Sequence, residues 1–374
     1  MIVTRLAVVA AVLSALAWPA AAEEGDPAPV APRIAFRPAV EHAVDAVILP
    51  GYATLAAAAA DEAPLLAALC GEPDPEHLAA AREGFRRVVV AWSGVEMFRF
   101  GPARDDNRFE RLFFWPDPRG RGLQQVQGIL AAADETAASP ETLRAKSVAV
   151  QGLLALEYVL FGTGSEALAD PGDPARSFRC RYGAAIGAAV AKTAGEILAG
   201  WTGPGGYAGV MRDAGEDDPV YRTHGEVVQD LIKAAREQLQ LVRQQKLGQS
   251  VGESPEDAQP KRAPFWRSDL VIPAVVANLD AVVALVGPDG VGTVLPADKA
   301  WAARQAAFEI GRVDAVLGRL SASGTPWEAL LEDPAAHGDL LYTLIPLGDV
   351  ATLLETDYPA ALGLITGFNS LDGD

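Results

Sequence analysis

Apolar residues along this chain recur at three- and four-residue spacings in Ala-, Leu- and Val-rich stretches. No set of segments shows the period-two alternation of half-buried strands. The pattern predicts helices over about 38–61, 75–98, 122–135, 140–160 and 175–200. It predicts more over about 220–247, 268–286, 296–321, 326–331 and 338–356. Ser139-Pro140 and Asp74-Pro75 place a capping side chain before a proline at the first helical position. Gly101, Gly162 and Gly287 stand where a left-handed residue would close an apolar helix. The expected fold class is all-α, built of packed helical bundles. A Gly- and acid-rich break at 202–219 divides the chain into bundles at 38–210 and 211–374, with a second polar loop at 248–264 inside the latter.

Residues 1–22 read as a segment removed from the fold. Arg5 gives a basic start, Leu6 to Trp18 is apolar, and Ala20-Ala21-Ala22 fits the small-residue cleavage pattern of a secretory signal. The apolar run is too short to span about 30 Å of hydrocarbon, so no membrane span is expected after cleavage. Residues 23–37, which include the Pro-rich EEGDPAPVAP, read as a flexible tether. With no Cys beside the cleavage site, the expected location is the periplasm, without a lipid anchor. That space is oxidising, and Cys70 and Cys180 both sit beside loop signals. A disulfide between them is one reading; two buried thiols are the other.

Composition narrows the function. The 374 residues carry 31 Lys+Arg against 49 Asp+Glu, a net charge of −18. Nucleic-acid partners are not expected, because phosphate binding needs clustered basic residues. Two Cys and four His cannot build a cysteine zinc cluster or a His-rich metal site. There is no H-E-x-x-H and no G-x-S-x-G. His42 has Asp45 three residues on, which is either a ligand pair or a solvated helix face. His77 reads as exposed in a first turn, His224 lies near a helix start, and His337 reads as a loop residue.

Two acids stand in nearly all-apolar segments. Glu96 lies in VVVAWSGVEMFRFG, after Trp92, and Glu157 lies in VAVQGLLALEYVLFG. Each precedes a closing Gly by five residues. An all-round apolar helix is a buried helix, and a buried carboxylate needs partners or a proton. Arg99 is one helical turn from Glu96. Glu157 has no local cation, so its partner must come from another helix. The two acids are expected to meet at a common site, unless each belongs to a buried network that fixes helix register. Between them an Arg- and aromatic-rich loop, from Arg104 to Gly120, is expected to fold over a cleft with its arginines holding carboxylates.

These segments, with the C-terminal GFNSLDGD, resemble the imelysin-like family, over essentially all of the chain from Pro38 onward. The resemblance implies an all-α fold of two similar helical bundles with a site near their interface. It also implies a bacterial envelope protein tied to iron uptake, in a family first described as metallopeptidases. The family motif G-x-H-x-x-E falls on Gly152, Leu154 and Glu157, with Leu154 in place of the His. Glu96 and Trp92 match a recurrent acid of the first bundle, and Arg267-Ser268 lies in the segment that opens a second-bundle helix at the cleft.

The first reading is a non-enzymatic periplasmic binding component working with iron-transport components of the envelope. Glu96 and Glu157 would be candidate metal ligands, tuned by Arg99 and Arg267. Iron fits such hard oxygen donors, and no strong zinc site is expected. A metal-dependent peptidase is the second reading; it needs at least three protein ligands that the sequence does not supply. The third is a binder of a small anionic ligand, clamped by Arg99, Arg108 or Arg267.

Overall fold

The structure, a computed structural model, describes residues 34–364. The signal, most of the tether and the 367–374 segment of the family resemblance lie outside the described residues. All regular structure among the described residues is helical. From Ala35 onward the chain forms one compact unit.

Helix α1 runs Arg37–Gly71 and contains a π-helical stretch at Ala43–Ile48. It is followed by α2 (Pro75–Ser93), α3 (Arg121–Ala132), α4 (Leu153–Phe161) and α5 (Arg176–Thr202). Helix α6 starts as His224–Gln240 and continues through a π stretch, Leu241–Gly248. Then come α7 (Val271–Val286), α8 (Trp301–Ala322) and α9 (Pro334–Thr352). Helix α1 packs along α2 and α5. Helix α7 packs on α6, α8 and α2, while α9 packs on α8 and α6. Helix α7 and its extension to Val294, like α1, are long and apolar enough to cross a bilayer by length and composition. Here both pack against other helices of the core. Tyr52 of α1 stacks on Trp201 of α5 at 5.8 Å between ring centroids, and both are fully buried. Large apolar side chains buried this way contribute about 1.5–3 kcal/mol each.

Local chemistry starts the helices as their sequences indicate. The Asp74 carboxylate accepts from the His77 N–H at 2.7 Å, with Pro75 in the first turn of α2. The Thr223 hydroxyl accepts from the Glu226 N–H at 3.2 Å at the start of α6. Cys70, at the end of α1, is disulfide-bonded to Cys180 near the start of α5, across 110 residues.

Three expectations change. The helix expected over 140–160 is broken: Pro140–Leu143 is one short helix, and α4 begins only at Leu153. Ser139 does not cap the backbone; its hydroxyl donates to Glu141 instead. The carbonyls freed by the break are taken by side chains. The Gln151 amide donates to the Leu143, Lys146 and Ser147 carbonyls, and Arg111 donates to the Arg144 carbonyl. Second, Gly162 and Gly287 are extended rather than left-handed. Glycine is needed there for space, since a Cβ would stand 2.5 Å from the Tyr158 oxygen or 2.4 Å from that of Val283. Gly101 does have positive φ (57°). Third, α1 does not stop at Asp61. The polar pair Asp61-Glu62 reads as an end, yet Glu62 lies on the buried face against Gly84 of α2.

Glu62 is 2% exposed, and neither of its oxygens has a hydrogen-bond partner. Burial lifts its pKa to about 9, opposed only in part by Arg87. The folded state therefore holds a proton that the unfolded state releases above pH about 4.5. Stability should fall as pH rises from there toward 9. Glu62→Gln is expected to flatten that slope and to be about 2–4 kcal/mol more stable than wild type at pH 8. Urea midpoints at pH 5, 7 and 9 provide the measurement; equal slopes in the two proteins would refute it.

Candidate functional site

Helix α4 is nine residues long and buried almost all round, from Leu153 to Leu160 except Leu154. Its start is fixed by Gly152, where a Cβ would lie 2.6 Å from the carbonyl oxygens of both Arg111 and Leu112. Backbone cannot yield to that contact, so only glycine lets the chain cross there. Its other end is held by Arg179 of α5. That guanidinium donates to the carbonyls of Tyr158, Val159, Gly162 and Thr163 at 2.8–3.3 Å. Tyr158 and Val159 belong to the last turn of α4, where a helix leaves its carbonyls short of partners, and Gly162 and Thr163 follow it.

Glu157 is 1% exposed. Its Oε1 accepts from the backbone N–H of Ser268 at 3.0 Å and lies 2.9 Å from the Ser268 hydroxyl. That hydroxyl also stands 3.1 Å from the Phe265 carbonyl oxygen. It has one hydrogen, so it serves one of the two acceptors at a time. Burial raises the pKa of Glu157, while the charge of Arg267 and the Ser268 donors oppose the rise. The donors sit on a strained loop. Phe265 (φ 62°) and Asp269 (φ 59°) both occupy the left-handed region and bracket Trp266, Arg267 and Ser268. Such non-glycine residues cost about 1–3 kcal/mol each and are enriched at functional sites. The Asp269 carboxylate accepts from the Trp327 N–H at 2.7 Å, which holds one end of the turn.

Glu157 and Leu154 share the wall of a cavity of about 390 Å³. The Phe114–Trp115–Pro116 strip forms a second side, and the 261–267 loop a third. The cavity is rich in rings and cations. Arg267 lies over the rings of Trp266 (4.4 Å) and Tyr158 (5.5 Å), and Lys261 over Trp266 (5.2 Å). Arg262 and Asp117 also line it. The Arg- and aromatic-rich loop thus does line the cavity, through Phe114, Trp115 and Asp117 rather than through its arginines.

Glu96 is elsewhere. Helix α2 ends at Ser93, so Glu96 stands in a tight turn rather than on a helix. It is fully buried and does not line the Glu157 cavity. Its Oε2 is held by the ammonium of Lys246 at 2.5 Å and the amide of Asn278 at 3.0 Å. Arg99 approaches Oε1 to 3.6 Å, too far for a hydrogen bond. The expected meeting of the two acids at one site therefore fails, because Glu96 is neutralised inside its own network. Trp92 packs on Phe109 (5.0 Å) and Phe113 (5.9 Å) rather than on either acid. Phe113 in turn stacks on Phe265 at 5.4 Å, and this pair of rings links the surroundings of the two acids.

Lys246 and Asn278 went unnoticed in the sequence, although both left a signal. Lys246 follows Leu239 and Val242 at helical spacing on the apolar stripe of α6. Asn278 is a lone amide in an apolar helix. Lys246 is fully buried, and burial lowers its pKa against the pull of Glu96.

None of the four His lines the cavity. His337 is not a loop residue: it is buried in the first turn of α9 and contacts the Val251 carbonyl at 2.9 Å. His77 is half-buried and paired with Asp74 at 2.9 Å. Asp45, the neighbour of His42, pairs with Arg212, whose carbonyl also meets His224 at 2.9 Å. No cluster of three or more His, Cys, Asp or Glu able to hold a metal exists among the described residues. At the cavity the carboxylates are Glu157, held by Ser268, and Asp117, which already accepts from the Arg121 and Gly122 N–H groups. The residues present do not fit a coordinated metal ion.

An all-helical chain with a buried, serine-held carboxylate on a cavity wall is the setting in which the comparisons with known proteins take on meaning. The chain belongs to the imelysin family, peptidase M75, whose sequence model matches residues 48–345. It is 25% identical to iron-regulated protein A of Synechococcus elongatus over 208 residues, 55% of this chain and 52% of that protein. The chain thus matches about half the length of that curated relative. The fold is shared with an imelysin-like protein from Psychrobacter arcticum, with a TM-score of 0.72 and 18% identity, over 90% of this chain and 99% of that one. It is also shared with a protein described as an iron-regulated protein A precursor from Parabacteroides distasonis. There the TM-score is 0.68 and the identity 15%, over 86% and 95% of the two chains.

Losing one member of a buried ion pair strands the other charge. Lys246→Ala is expected to destabilise the fold by about 3–5 kcal/mol. Adding Glu96→Gln to it should recover part of that loss. Chemical denaturation of both variants checks this; a double variant no more stable than the single one would count against the charge argument.

Proposed function

We propose that this chain is a non-enzymatic binding component of the periplasm, linked to iron uptake, whose ligand sits in the Glu157 cavity. The supporting observation is that cavity itself. Glu157 is held there by Ser268, Leu154 takes the motif His position, and Arg267, Lys261 and Arg262 supply positive charge beside aromatic rings. The iron link rests on family membership and on relatives named as iron-regulated proteins. The word precursor in one of those names accords with an exported chain, as does the N-terminal sequence pattern. The cavity draws on residues before and after 210, in keeping with a site between two helical bundles.

The donor set selects the kind of ligand. A bare ion would find two carboxylates, both already hydrogen-bonded, and no imidazole, so the metal-dependent peptidase reading lacks its three ligands. A small organic anion, free or carrying iron, matches the guanidinium of Arg267 and the flanking rings. Glu157 then serves as an acceptor for a hydroxyl or ammonium of the ligand, and its raised pKa also lets it donate when protonated.

Titrations of ferric ion alone and of ferric citrate into wild type, Glu157→Gln and Arg267→Ala test this. Binding of the complex but not of the bare ion is expected, weakened about tenfold or more in both variants. Preference for the bare ion, or equal affinity in all three proteins, would remove the cavity from the function.

A further inference from the structure

The segment from Arg99 to Arg111 holds arginines of two kinds. Arg108 and Arg111 are committed. Arg108 donates to the Pro102 carbonyl at 3.0 Å and pairs with Asp105 and Glu196 at 3.2 and 3.4 Å. Arg111 donates to the Asp106 carbonyl, the Arg144 carbonyl and the Gln151 amide oxygen. The guanidinium groups of Arg99 and Arg104 donate no hydrogen bond to any described residue. Both line a second hollow of about 360 Å³, together with Asn107, Phe109 and Glu110. Phe114–Trp115–Pro116 is a wall common to this hollow and to the Glu157 cavity.

We propose that this second hollow is an oxyanion site, in which Arg99 and Arg104 clamp a small molecule bearing a carboxylate or phosphate group. Arg99 is held in place for the task. Its guanidinium lies 4.6 Å over the Phe109 ring, and its Nη2 is covered and turned toward Glu96 at 3.6 Å. The Arg99 side chain as a whole keeps 36% exposure. Glu96 is already matched by Lys246 at 2.5 Å, so the trio of Glu96, Lys246 and Arg99 carries one cation more than it has anions. Arg99 brings that excess charge to the lining of the hollow, where an oxyanion would neutralise it. Guanidinium groups meet carboxylate and phosphate oxygens in bidentate, charge-assisted bonds. The acids nearest in sequence do not compete. Asp105 is paired with Arg108, and Asp106 with Arg111 and Arg144. Glu110 is the acid that lines the hollow. It disfavours multiply charged anions that fill the whole space and admits those carrying a hydroxyl or ammonium at its end.

The site is independent of the ligand proposed for the Glu157 cavity, and its test keeps the two apart. The full chain is titrated calorimetrically at constant ionic strength with succinate, citrate and inorganic phosphate. At least one of the three is expected to bind. Its affinity should fall tenfold or more in Arg104→Ala, whose residue is exposed and whose loss leaves the core intact. Arg99→Lys, which keeps the charge but not the fork, should weaken binding by a similar factor. Arg119→Ala, at an exposed loop position outside both hollows, should leave it unchanged. Arg267→Ala, which affects only the Glu157 cavity, should leave the Arg104-dependent binding event in place. No binding of any of the three at about 10 mM, or wild-type affinity in Arg104→Ala, would overturn the proposal. A loss confined to Arg267→Ala would overturn it too, by moving the anion to the other cavity.

Discussion

A carboxylate and an ammonium, both cut off from water, meet 2.5 Å apart where the turn after α2, the π stretch of α6 and the middle of α7 converge. Much else depends on this contact. Neither charge could stay buried alone, so the three segments must arrive together or not at all. Asn278 extends the constraint by donating both to Glu96 and to the Ser93 carbonyl, at the point where α2 stops. A purely apolar junction would tolerate sliding of one helix past another. A hydrogen-bonded charge pair fixes the register of helices drawn from distant parts of the sequence.

The contrast between the two acids shows how burial alone fails to define a site. Glu96 and Glu157 are equally hidden from water, and both come from apolar segments closing on glycine. One is met by an ammonium and an amide inside a packed junction. The other is met by a serine on a strained loop and lines a cavity shared with rings and cations. What separates them is the source of the compensating groups, and those lie 111 and 150 residues away in sequence.

That distance also explains what the sequence disclosed and what it hid. Helical periodicity revealed the all-α class and most of the helix positions, because burial of one face is a local property. It failed between 140 and 160, where Gln151 and Arg111 satisfy the broken backbone from the side and so remove the need for a continuous helix. It ended α1 ten residues early, before Glu62, whose buried side chain interrupts the apolar pattern of that face. The burial of Glu157 and its need for a distant partner were legible from its isolation, and the glycine at 152 from the family motif. Arg99 does pair with Glu96 at 3.6 Å, but across a turn rather than along a helix, and Lys246 makes the closer contact at 2.5 Å. Lys246 escaped notice because a lysine on an apolar stripe is usually discounted as a solvated end.

Arg179 gives the cavity a mechanical character. One guanidinium binds four carbonyls at the end of α4, and its neighbour Cys180 is tied covalently to the end of α1. At its other end α4 is wedged by Gly152 against the Arg111 and Leu112 backbone. Held at both ends, the helix has little freedom to turn about its axis, and Glu157 turns only with it. A ligand entering the cavity meets a carboxylate whose direction was settled during folding. Association then costs mainly the freedom of the ligand itself, and shape mismatch is not absorbed by movement of the wall. A wall held in this way would discriminate by rejecting poor fits rather than by adapting to good ones.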